Sequence, residues 1–204
     1  MLTVVAVAVS VASLALVFLD QPPGGNSAEA GFARDMSAHH AQAVEMAQIV
    51  EENTDDPEIN NLASDIALTQ QAQIGQMQGW LSLWGLPVSG SGERMQWMGG
   101  GMADGRMPGM ASSEEVNRLR NAEGKEAERL FLRLMIPHHQ AAIPMAEAVI
   151  ESSENEAVTS LAESIIVSQK AEIQTMQGML EQRGGDPSAE DGRNMSGMRM
   201  DADD

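Results

Sequence analysis

Apolar and polar positions alternate along most of this chain with a helical period, and the pattern is written twice. From about Phe32 to Glu52, residues Met36, His39, Ala43, Met46, Ala47 and Val50 fall on one helical stripe, with His40 on its flank and Glu45 and Glu52 opposite. That spacing is what a core-facing helix requires. Thr54-Asp55-Asp56-Pro57 then predicts a turn, an Asp cap and a proline in the first turn of a second helix. This helix is expected to run to about Trp84, to bury Leu62, Ile66, Ile74, Met77 and Leu81, and to stop at Gly85-Leu86-Pro87. So short a connection makes the two helices antiparallel neighbours.

The second copy predicts helices from about Lys125 to Ser152 and from about Glu156 to Arg183, closed by Gly184-Gly185. The offset is 99 residues without a gap: Met36 matches Met135, His39-His40 match His138-His139, Met46 matches Met145, and Gln70 matches Gln169. Repetition of this kind marks a duplicated structural unit. The expected fold is all-α, a four-helix bundle built from hairpin repeats 35–85 and 134–184 related by a pseudo-two-fold axis. Pro137 and Pro144 lie inside the third helix on its outer face. An interior proline costs ~3 kcal/mol, and the apolar stripe continues past both, so a kinked helix is expected rather than a broken one.

The flanks read differently. Residues 1–19 are an uncharged apolar run, about the length that spans a bilayer as a helix. Residues 1–20 are therefore expected to be a signal peptide or an N-terminal membrane anchor, with an exported body in either case. Ala28-Glu29-Ala30 resembles a cleavage site. Residues 21–30 read as a linker, 31–185 as the bundle, and 186–204 as a disordered acidic tail. Between the copies lies a Met/Gly-rich insert, 86–111, with Met95, Met98, Met102, Met107 and Met110. Ser112-Ser113-Glu114-Glu115 is a capping box opening a short connector helix to about Asn121.

Composition narrows the chemistry. The net charge is −18, and Lys125 and Lys170 are the only lysines, which argues against a nucleic-acid partner. Cysteine is absent, which excludes disulfides and thiolate sites. With 3 Phe, 3 Trp and no Tyr the core is aliphatic, and 16 Met exceed what core filling needs. No nucleophile elbow, H-E-x-x-H or phosphate loop occurs. Enzymatic chemistry is thus unsupported, although histidines at a bound metal could run redox reactions.

The four histidines are the only ones in the chain. Each adjacent pair has a methionine three residues before its first member and another six after its second. Buried imidazoles need partners. One reading is structural: each histidine hydrogen-bonds Gln70, Gln169 or a carbonyl and orders the core of a non-metal interaction module. The other is a metal site. Imidazole is the commonest metal ligand and thioether selects Cu(I). Candidate ligands are His39, His40, His138, His139, Met36, Met46, Met135 and Met145, with Gln70 and Gln169 behind them fixing histidine tautomers. Asp35, the acid nearest the stripe, matches Leu134 in the second copy and cannot be a symmetric ligand. Iron fits poorly, because di-iron bundles use inward carboxylates. Copper, as Cu(I), is the metal this donor set suits, for sequestration or delivery. A metal-dependent oxidoreductase is the third alternative. The remaining methionines of the insert and tail are either linker residues or additional soft-metal donors. The partners implied are a metal ion and, through an uncleaved segment 1–19, a membrane.

Phe32-Ala-Arg-Asp35-Met36-x-x-His39-His40-x-x-Ala43-x-x-Met46-Ala47 resembles the signature of the bacterial family catalogued as domain of unknown function 305. Leu134-Met135-Ile-x-His138-His139-x-x-Ala142-x-x-Met145-Ala146 and Ala67–Trp80 resemble it too. The resemblance covers about Gly31 to Gly185. It implies a ferritin-like four-helix bundle, an exported location and, for some members, copper binding linked to metal tolerance.

Overall fold

The computed structural model describes residues 22–90, 93–100 and 105–185. Expectations for the leader 1–19, the tail 186–204 and its methionines, and Met102 lie outside these residues. The described residues form five α-helices: α1 (Ala28–Asn53), α2 (Pro57–Leu83), α3 (Ser113–Asn121), α4 (Gly124–Ser152) and α5 (Glu156–Gln182). One 3-10 turn, Gln96–Met98, lies in the insert. None of these helices is long and apolar enough to cross a membrane.

Both copies use the same caps. Asp56 accepts from the N–H groups of Glu58 and Ile59, and Asn155 from those of Ala157 and Val158. These bonds satisfy donors that a helix start leaves open. At the other ends Gly85 (φ 68°) and Gly184 (φ 71°) adopt the left-handed backbone. Leu86 N–H then donates to Leu81 O (2.8 Å) and Gly185 N–H to Leu180 O (2.9 Å), a Schellman closure in each hairpin. Ser112 and Glu115 form the expected capping box of α3.

α2 packs along α1 and α5 along α4, and the two hairpins meet through α1 and α4. α4 stays continuous through Pro137 and Pro144. One difference from expectation is the start of α1. It begins at Ala28, inside the segment expected as a linker, and the cleavage-like Ala28-Glu29-Ala30 forms its first turn. Ser27 caps it by accepting from Ala30 N–H, and Ala30, Phe32 and Ala33 are fully buried, so packing extends the helix backwards.

The core is divided. One apolar cluster holds Met46, Val50, Ile59, Ile66, Phe131, Met135, Met176 and Leu180; the other holds Phe32, Met36, Met77, Leu81, Met145, Val149 and Ile165. On α1, α2, α4 and α5 the boundary between them falls at buried polar residues: His39 and His40 on α1, Gln70 and Gln73 on α2, His138 and His139 on α4, and Gln169 on α5. A polar layer therefore crosses the middle of the bundle.

The insert joins this core. Met95 and Met107, 2% and 3% exposed, pack with Met36, Met77 and Met145. Asp35 anchors it, accepting from Met95 N–H (2.7 Å) and Trp97 Nε1–H (3.0 Å), with Arg94 3.7 Å away. Trp97 meets Phe32 edge to face.

Candidate metal centre

The four histidines are at most 1% exposed. His39 and His138, one from each copy, lie ring to ring with centroids 3.8 Å apart and planes inclined by 34°. The antiparallel meeting of α1 and α4 produces this. Met36 shares a cluster with Met145 on one side of the layer, and Met46 with Met135 on the other. The eight expected ligands are thus divided into a central histidine layer and two flanking methionine pairs.

Three of the rings turn the same nitrogen, Nε2, to an oxygen acceptor. His39 Nε2–H donates to Pro108 O (3.2 Å), His40 Nε2–H to Gln73 Oε1 (2.9 Å) and His139 Nε2–H to Glu172 Oε2 (2.7 Å). A neutral imidazole that donates through one nitrogen holds a bare lone pair on the other. Nδ1 of His39, His40 and His139 is buried without a hydrogen-bond partner, and so is Nε2 of His138. Burial pushes His39 down to about 4 and His40 down to about 3, and it holds His138 well below the ordinary histidine value. The proximity of other histidines acts in the same direction. At neutral pH these three rings are neutral, the state in which imidazole ligates metal.

Gln70 and Gln169 lie in the layer, 2% and 1% exposed, but neither bonds a histidine. Both amide atoms of Gln70 and Oε1 of Gln169 are unpartnered. The histidine partners sit one turn further along the same helices, at Gln73 and Glu172. The 99-residue offset contained the clue, because each lies 33 residues after the second histidine of its copy. The contact of Pro108 with His39 had no sequence signal. Gln42 clamps that part of the insert, donating to Ala111 O (2.9 Å) and accepting from Ala111 N–H (2.7 Å).

Among the described residues no group of three or more His, Cys, Asp or Glu side chains forms a ready-made metal site. The layer nevertheless holds donor atoms of a kind that metals take. It offers imidazole nitrogens with no protein partner, where buried polar atoms otherwise find one. Thioethers lie in the apolar clusters on either side.

Fold and site together define a helical bundle with a buried histidine layer between two duplicated hairpins. The chain belongs to the family "Domain of unknown function (DUF305)", whose model matches residues 29–180, with an overlapping match at 137–203. It is similar to a DUF305 protein from Streptomyces coelicolor named as secreted: 46% identity, TM-score 0.75, covering 79% of this chain and 97% of that one. A DUF305 fragment from Deinococcus radiodurans is 37% identical, with TM-score 0.65 and coverage of 76% and 96%. CopM in its Cu(I)-bound form is 29% identical, with TM-score 0.60 and the same coverage. CopM structures also exist with Cu(II) and with Ag. A 56-residue stretch, 28% of this chain, is 36% identical to uncharacterised protein L153 of Acanthamoeba polyphaga mimivirus and spans 37% of that relative's length.

Proposed function

We propose that this protein is an exported copper-binding protein that sequesters or delivers Cu(I) outside the cytoplasm. One observation carries the reading. Four buried imidazoles converge in one layer, and each keeps a nitrogen that no protein group satisfies. Leaving such atoms unpaired costs about 1–3 kcal/mol each, so the arrangement is better suited to a ligand than to a self-sufficient core. The similarity to CopM, whose structure is known in a Cu(I)-bound form, supports copper as that ligand. His39, His40, His138 and His139 would supply nitrogen, and Met36, Met46, Met135 and Met145 thioether sulfur. A neutral donor set of this kind prefers monovalent copper to zinc or iron. A ferritin-like arrangement of α1, α2, α4 and α5 accompanies this proposal, with residues 1–19 as signal or anchor.

Cu(I) titration of the full chain in reducing buffer tests it, beside the variant with His39, His40, His138 and His139 all changed to Ala. Binding should be lost in the variant while its helical circular dichroism remains. Equal binding by both proteins would make the histidines structural, their bonds to Gln73 and Glu172 being core hydrogen bonds of an interaction module.

A further inference from the structure

The two copies differ at one place in the histidine layer. His40 is backed by Gln73, a neutral amide 2.9 Å away. The equivalent His139 is backed by Glu172, a carboxylate 2.7 Å away. The His139 side chain is wholly buried, and Glu172, 20% exposed, faces it from α5 near the surface. Both acceptors take Nε2–H, and in both rings Nδ1 is buried without a protein partner, so the geometry is shared between copies while the backing group is not.

A carboxylate behind a ligating histidine fixes its tautomer and ring orientation and makes it a stronger donor. An amide performs the first task and little of the second. An anion one ring away from a bound ion also favours the higher ionic charge, since attraction scales with the product of charges.

We propose that Glu172 is the positioning residue that sets the charge preference of the histidine layer, raising its affinity for divalent copper relative to monovalent copper, while Gln73 leaves the other copy neutral. This rests on the copper reading above and adds the oxidation state the site tolerates.

The test measures Cu(II) and Cu(I) affinities separately, by competition titration against chelators, for the full chain, Glu172→Gln and the reciprocal Gln73→Glu. Glu172→Gln should weaken Cu(II) binding ten- to a hundredfold with a much smaller change for Cu(I). Each tenfold difference raises the copper potential by about 59 mV. Gln73→Glu should shift both quantities the opposite way. The copper(II) electron paramagnetic resonance spectrum should change in Glu172→Gln, and circular dichroism should not. If Glu172→Gln weakens both oxidation states equally, or neither, the role of Glu172 is overturned while the copper site stands. If the unmodified protein takes up neither ion, the copper reading itself falls and carries this one with it.

Discussion

His39 lies against His138 with ring centroids 3.8 Å apart, at the point where the two copies meet. Two imidazoles so close cannot both be protonated without strong repulsion, and burial already disfavours the charge. The described fold therefore keeps His39, His40 and His138 neutral, and its stability follows the titration of these three rings.

The sign is fixed by linkage. Unfolded, each imidazole titrates near 6.5; folded, burial lowers His39 to about 4 and His40 to about 3. As pH falls below 6.5 the unfolded chain takes up protons that the fold refuses. Stability is complete above that value and is lost progressively towards the folded values, by about 1.4 kcal/mol per pH unit for each such proton. Urea midpoints of the metal-free protein should drop steeply between about pH 6.5 and 4. His40→Phe should flatten that slope, and an unchanged slope would contradict the origin assigned to it.

Gly109 holds the insert against the layer. Its φ is 73°, and an added Cβ would stand 2.6 Å from Pro137 O and 3.1 Å from His138 Cα. Gly109→Ala should destabilise the protein by about 1–3 kcal/mol and speed amide exchange in residues 105–111. Exchange there matching the parent protein would show that the contact is dispensable.

Asp35 is the other anchor. It holds Met95, whose φ of 65° is unfavourable for a side-chain-bearing residue, and the Trp97 indole. Asp35→Ala leaves two donors unpaired and should cost about 1–3 kcal/mol. Trp97 fluorescence should shift to the red as the segment around it loosens, with the α-helical signal kept.

Arg183 closes the bundle end. Its guanidinium reaches Glu128 (2.8 Å), Asp56 (3.0 Å) and Glu58 (3.6 Å), and Glu128 also accepts from Thr54 Oγ1–H. Glu128 is nearly buried, so Arg183→Ala strands a charge and should lower stability by about 3 kcal/mol. Adding Glu128→Gln to that variant should restore part of the loss, measured by thermal melting.

Helix periodicity, caps and duplication were legible from residue order because they are local. Asp56 and Asn155 cap because they precede helix starts, and Gly85 and Gly184 end helices because few other residues take a positive φ. The histidine pairs and their flanking methionines were legible for the same reason: a 99-residue repeat needs no coordinates. Tertiary structure decided what those histidines touch. Gln70 and Gln73 differ by one helical turn, and only the packing of α2 against α1 selects Gln73 as the partner of His40; the same holds for Glu172 over Gln169. Helix packing likewise sorted Met36 with Met145 and Met46 with Met135, since antiparallel α1 and α4 reverse the order of the copies. The insert was the least legible part. Its Gly-rich composition has no period to read, and its order comes from long-range bonds to Asp35, Gln42 and His39 that exist only once the bundle has formed.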